Sequence, residues 1–310
     1  MTEAPERTIA EAAHVAGPSG AASSHQFVCS EVSGGNRQVE TLVALPGLRG
    51  KLYSHPVGGG RGGDVHYLSA CDSGILARAC LADVAGHGDT VATVSGEIHR
   101  LLRKFVNWSD QRAFMRALNR RLSSGDLGVM TTVAALSYYP PNRSLSVSYA
   151  GHPPALYYEA RGRTWEVLSP PAAVGLSDLP MGVDAESDFA RRRVRATPGD
   201  RVALFTDGVL EAPRKRSVHV GARTEQHAEL FGLDRVQAFL DGARDLTPSE
   251  QVDGLVARVV DFTGDPLLRH DDVSILVLEI VASEGGPMLW KALRNRVILP
   301  LLGRPKAAAR

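Results

Sequence analysis

Between residues 90 and 107, apolar side chains fall at Val91, Val94, Ile98, Leu101, Leu102 and Phe105. That i, i+3, i+4 spacing predicts an amphipathic helix with one buried stripe. Phe114, Leu118 and Leu122 repeat the spacing after Ser109, a residue type that accepts a hydrogen bond from a helix's first turn, so a second helix is expected there. Two more are predicted over residues 233–240 and 249–262. Elsewhere the apolar pattern is that of strands. GILARACLADV (residues 74–84) reads as a buried strand, and MTTVAALSYY, SLSVSYAG and PALYYEA read as successive antiparallel strands after a turn at residues 140–142. FARRRVRA and RVALFTD, joined by the Pro-Gly-Asp turn at residues 198–200, read as a hairpin, and residues 273–280 as a final strand. Residues 26–56 hold two short strands, or a strand and a loop. Strand-rich sections interrupted by helix pairs predict an α+β protein: stacked antiparallel sheets flanked by helices. The polar, basic stretch at residues 213–229 is expected to be a solvated loop near the mouth of a site.

Composition narrows the class. The chain of 310 residues is long enough to bury a substantial core, and a formal net charge of +1 gives no field that would select nucleic acid as a partner. Three cysteines, Cys29, Cys71 and Cys80, lie at no zinc-ligand spacing, which fits a reducing cytoplasm. None begins a Cys-x5-Arg loop, since Arg78 is one residue too far from Cys71, so cysteine-based phosphate chemistry is disfavoured. No stretch approaches the ~20 apolar residues that cross a bilayer. Residues 1–25 read as a disordered tail with no secretory signal, residues 26–283 as the folded domain and residues 284–310 as a basic tail.

Four short stretches bring aspartates to the ends of apolar runs: GGD at residues 62–64, ADVAGHG at 82–88, FTDGVLE at 205–211 and HDDVSILVL at 270–278. Alone, each is an ordinary turn. Together they point to carboxylates gathered around hard cations such as Mg²⁺ or Mn²⁺, which prefer oxygen ligands, and so to a binuclear metallohydrolase. The glycines of residues 58–63 also satisfy G-x-G-x-x-G, but SHPV precedes them and a short strand-like run follows, where a dinucleotide site needs a strand before and a helix opening within, so that site is rejected.

The order and wording of these stretches, with SYAGHPPALYY (148–158), LPMGV (179–183) and PGDRVALFTDGVLEA (198–212), resemble the PPM, or phosphatase 2C, family of metal-dependent protein serine/threonine phosphatases, in particular its bacterial SpoIIE-like branch. The resemblance spans residues 58–280 and implies an α-β-β-α sandwich. It also implies that Asp83 bridges two ions beside the backbone carbonyl of Val84, that Asp207 and Asp271 are ligands, that Asp64 completes the second metal and that Asp272 supports its neighbour. One departure is Tyr67, where the branch often carries a second aspartate after GGD. Substrates in the branch are often small phosphorylated anti-anti-sigma regulators. A binuclear hydrolase of another phosphoester and a non-catalytic partner-binding version of the fold are the alternatives, and retention of Asp64, Asp83, Asp207 and Asp271 argues against the last.

Two further residues are candidates for catalysis. Arg61 could fork onto a substrate phosphate or be a plain loop arginine. His87 could give a proton to the leaving serine or cap the helix that follows. In the tail, a helix over residues 289–299 would set Leu289, Trp290, Leu293 and Val297 against Lys291, Arg294 and Asn295. Such a face packs back on the domain, touches an anionic membrane peripherally or docks a partner.

Overall fold

The computed structural model describes residues 23–28, 31–71, 74–86, 88–105, 107, 110–124, 129–169, 179–220 and 223–282, with backbone alone over 215–220 and 223–227. The strands β3 (Val39–Leu45), β4 (Leu48–His55), β9 (Leu156–Glu159), β10 (Thr164–Val167), β12 (Arg201–Phe205) and β15 (Val273–Ile280) join β1 (Ser23–Gln26) in one sheet, ordered β1-β3-β4-β15-β12-β9-β10. The second sheet holds β2 (Val32–Arg37), β5 (Arg61–Ala70), β6 (Ala77–Val84), β7 (Thr131–Tyr139), β8 (Ser144–Ala150) and β11 (Arg191–Arg195), ordered β11-β8-β7-β6-β5-β2. Helices α1 (Asp89–Lys104) and α2 (Gln111–Ser123) cover the second sheet. Helices α4 (Gly232–Gly242) and α5 (Pro248–Thr263) cover the first, and the four-residue α3 (Asp207–Leu210) follows β12.

Three apolar layers hold this α-β-β-α stack together. Leu52, Leu68, Leu81, Leu136, Val147, Leu204 and Leu276 meet between the sheets. Val94, Ile98, Leu102, Phe114 and Leu118 pack α1 and α2 on Ala82, Val133 and Ala135. Val236, Leu240, Val252, Leu255 and Val259 pack α4 and α5 on Phe205, Ile275 and Val277. Burying each of these large side chains is worth roughly 1.5–3 kcal/mol before the entropy of ordering it. β15 is buried on both faces because residues 275–278 send alternate side chains to the inter-sheet layer and to α5. A capping box of Thr247 and Glu250 opens α5, and Gly264 at φ 68° closes it.

Several expectations are corrected. β1 pairs parallel with β3, so among the described residues strand structure begins at Ser23, inside the stretch read as a tail, and residues 26–56 hold three further strands. The segments read as a hairpin around residues 198–200 do turn there, but β11 joins β8 in one sheet while β12 joins β15 and β9 in the other. β9 likewise leaves the sheet of β7 and β8. Residues 213–229 are a hairpin, β13 (Pro213–Val220) with β14 (Arg223–Leu230), because every second backbone group finds a partner across the pair. Asp110, not Ser109, caps α2, its carboxylate accepting from Ala113 N at 3.2 Å. Among the described residues no helix is long and apolar enough to cross a membrane. The tail beyond residue 282, including its expected helix, lies outside the described residues.

Candidate active site

The strand register carries the site. Asp64 on β5 and Asp83 on β6 stand directly opposite each other, where paired Cα atoms are about 4.5–5.5 Å apart. By alternation both share the face of Leu68, Ala79 and Leu81, which fills the inter-sheet layer. The pair thus occupies the end of that layer, with acid in place of hydrocarbon. From the other sheet come Asp207, the first residue after Thr206 at the end of β12, and Asp271 with Asp272, just ahead of β15. β12 and β15 are hydrogen-bonded neighbours in antiparallel register, so these ends coincide.

Two residues stitch the sheets together here. The Thr206 hydroxyl donates to Asp64 Oδ2 at 2.7 Å and accepts from Ser274 N at 3.0 Å. Asp272 accepts from Val57 N at 2.6 Å, from Asp64 N at 3.3 Å and from Gly63 N. Asp271 accepts from Asp272 N at 2.8 Å, its side chain partly open to solvent and partly desolvated by the packed strand ends. Glycines make these approaches possible. A Cβ on Gly62 would stand 2.2 Å from Asp272 Oδ2, and one on Gly208 only 1.9 Å from the Asp272 carbonyl oxygen. A Cβ on Gly63 would meet Val84 O at 3.1 Å, Asp83 Oδ1 at 3.3 Å and Asp272 Oδ2 at 3.6 Å. Three oxygens therefore ring a position that a methyl group could enter only by pushing them aside by a few tenths of an ångström.

Acidic groups crowd together here, with His270 opposing the shift at Asp271. Burial, reinforced by Asp207, Asp271, Asp272 and Glu211, lifts the Asp83 carboxyl to about 7. Burial lifts Asp64 well above the usual carboxylate range; the Ser274 and Thr206 hydroxyls oppose the shift and Asp83 and Asp272 add to it. Asp207 and Asp271 are raised as well, mainly by burial, then by Glu211 at Asp207 and by Asp207 and Asp272 at Asp271. Like charges that raise one another are relieved by a cation, and the donors are all hard oxygens, which suits Mg²⁺ or Mn²⁺. Among the described residues no three His, Cys, Asp or Glu side chains already converge tightly enough to hold an ion. A bound cation would offset the repulsion among these carboxylates and draw them together.

Arg61 begins β5, exposed at the rim, paired across the strands with Arg37 and bonded to none of these acids. His87 lies outside the described residues. His152 is buried, its ring held by the Pro153 carbonyl, in keeping with a structural role. Sequence reasoning missed Glu211, Thr206 and Arg37 as individuals. Glu211 had a signal, since it follows Asp207 by one helical turn.

In overall structure the chain is similar to the RsbU and RsbW domains of Rv1364c from Mycobacterium tuberculosis, with a TM-score of 0.58 and 20% identity over 80% of this chain and 64% of that one. It is similar to the phosphatase domain of SpoIIE from Bacillus subtilis, solved with a fragment of its regulatory domain, with a TM-score of 0.55 and 20% identity over 82% of this chain and 64% of that one. It also resembles RsbX in complex with magnesium, with a TM-score of 0.54 and 14% identity over 78% of this chain and all of that one. The chain thus spans just under two thirds of the length of the first two. No curated protein matches its sequence. The fold is that of the PPM-type protein phosphatases. Residues 76–281 match SpoIIE, Stage II sporulation protein E, and the chain belongs to this family. Asp83, Asp207, Asp271 and Asp272 fall inside the matched span; Arg61 and Asp64 precede it.

Proposed function

We propose that this protein removes phosphate from phosphoserine or phosphothreonine on a regulatory protein, using two Mg²⁺ or Mn²⁺ ions. The observation that carries the reading is the opposed pair Asp64 and Asp83, closed in by Asp207, Asp271 and Asp272 from the other sheet. Asp83 and the Val84 carbonyl, with Asp64, Asp207 and Asp271, would hold the ions. When bound, such ions make a water nucleophilic at neutral pH and draw charge from phosphoryl oxygens.

The chain's own residues do the rest. Asp272, fixed by three backbone N–H groups, orients Gly63 and Asp64 toward the site. Thr206 holds the Asp64 carboxylate in one orientation. Arg61, with Arg37 beside it, offers a planar fork to an incoming phosphate at the rim. His87, between β6 and α1, donates the proton that the departing serine oxygen needs.

The substrate fits the regulatory phosphoproteins handled by the SpoIIE-like branch, of the anti-anti-sigma type, in the cytoplasm, with no nucleic acid involved. For the basic tail of residues 284–310, packing back on the domain, peripheral contact with an anionic membrane and docking of a partner are the alternatives. The test is phosphate release from a phosphoserine peptide, with Mn²⁺ or Mg²⁺ and in excess chelator, beside a nucleotide and a sugar phosphate. Turnover of the peptide that depends on the cation is expected. Undiminished turnover in chelator would overturn the metal mechanism, and preference for the nucleotide or sugar would overturn the substrate class.

A further inference from the structure

The helix-facing side of the second sheet changes character along its length. Near Asp83 it is apolar, with Ala82, Val133, Ala135 and Ala150 under α1 and α2. Toward the other end the same face is polar. β8 reads Ser-Leu-Ser-Val-Ser-Tyr-Ala: Leu145, Val147 and Tyr149 enter the inter-sheet layer and the serines face the helices. Ser144 and Ser146 pair with Arg195 and Arg193 of β11. Small side chains beneath the first turn of α2 leave a hollow of about 650 Å³.

Four arginines stand around it, Arg112 and Arg116 from α2 and Arg191 and Arg193 from β11. The acid in its lining, Asp110, caps Ala113 N. Arg116 reaches Asp188 only at 3.6 Å, and Arg112, Arg191 and Arg193 have no ion pair among the described residues. Burial, Arg193 and Arg112 together depress the Arg191 guanidinium, with Asp110 opposing. Below, Arg78 is 3% exposed and bonds Ser137 Oγ of the lining at 3.3 Å. One of its terminal nitrogens has no partner among the described residues. The hollow is thus lined by four arginines against one acid, the cations coming from two elements, α2 and β11, while Gln111 Oε1 is a buried acceptor with no partner among the described residues.

We propose that this hollow binds a small oligophosphate, an anion carrying two or more linked phosphate groups. Guanidinium forks match phosphate oxygens two at a time. Cations from two elements call for more charge than one phosphate brings, and the volume lies in the range of small-molecule sites. The site is separate from the carboxylate cluster: Arg78 and Asp83 are five residues apart on β6, about 17 Å along a strand.

The test is calorimetric titration of the full chain, stripped of metal, in chelator-free buffer at fixed salt. The probes are tripolyphosphate, inorganic phosphate and an oligoglutamate peptide. One tripolyphosphate per chain is expected, bound more tightly than either other anion. Arg191→Gln with Arg193→Gln should weaken it about a hundredfold, near tenfold for each charge-assisted pair lost. Arg192→Gln, on the same strand but turned by alternation to the other face, and Asp83→Asn, in the other site, should leave it unchanged. No binding by the wild type, equal affinity in the double variant with its melting temperature preserved, or tighter binding of oligoglutamate would each overturn the proposal. None of these outcomes bears on the phosphatase reading, since the titration excludes metal.

Discussion

Asp64 and Asp83 face each other across β5 and β6, each carboxyl raised by burial and by the other acids of the site. Without a cation, this arrangement opposes folding.

That opposition gives two carboxylate substitutions a double signature. Asp83→Asn and Asp207→Asn should each lower turnover on the order of 10³-fold or more, because a neutral amide cannot replace a shared carboxylate at a metal. In metal-free buffer each should raise the melting temperature above wild type, having removed one of several like charges. His87→Ala should cost less, about 10²-fold. Melting curves with and without Mn²⁺, beside turnover, check all three; wild-type rates in Asp83→Asn would refute the ligand assignment.

The same shift sets a pH dependence. The Asp83 carboxyl goes from an ordinary 3.8 to about 7 on folding, so between those values the folded state binds more protons than the unfolded one. Stability of the metal-free protein therefore falls as pH rises from about 4 to about 7, and this contribution then levels off. Saturating Mn²⁺ should flatten the fall, since a cation favours the ionised form. Denaturant midpoints measured across this range, with and without metal, decide it; a metal-free midpoint that rises toward neutrality would contradict the charge assignment.

Gly63→Ala places a methyl group 3.1 Å from Val84 O and 3.3 Å from Asp83 Oδ1. Spreading those oxygens should weaken the metal about 10–100-fold, the scale of an altered supporting contact, while global stability changes little. Metal titration of activity, read beside thermal melting, separates this from unfolding.

α1 begins six residues after Asp83 and is anchored by Ile98, which is fully buried against α2 and the sheet. Ile98→Ala should cost about 2–5 kcal/mol of stability. Because a small shift of α1 would move a ligand, metal affinity and turnover should fall together. A variant that loses stability alone would make the helix plain core.

How much of this was legible depended on whether the signal was local. The apolar run of β15 and the stripes of α1 and α5 state their own structure, and each formed within a few residues of expectation. The choice of sheet is not local. The Pro198 turn was visible, yet β11 is a half-exposed edge strand and β12 a central one buried on both faces, so the two part company there. That contrast was present in the text as RRRVR against RVALF. The β13–β14 pair was hidden by its charges, since a polar, basic stretch carries little apolar alternation while backbone pairing does not depend on side-chain character. At the site, the aspartates were legible through their motifs, but Thr206 reaching across to Asp64, and three oxygens ringing Gly63, are products of stacking that no run of letters contains.

Because each sheet brings only part of the acid cluster, catalytic competence is a late event in the life of the chain. A folding intermediate with one sheet complete would own most of its hydrogen bonds and no working centre. Recovery of activity on refolding should thus lag the far-ultraviolet signal of strands and helices and coincide with burial of the inter-sheet leucines. An injury far from any ligand, such as a cavity at Leu81 or Leu204, acts on the same seam: it lets one half of the centre drift against the other, and a drift of about 1 Å is enough to silence the chemistry about a hundredfold.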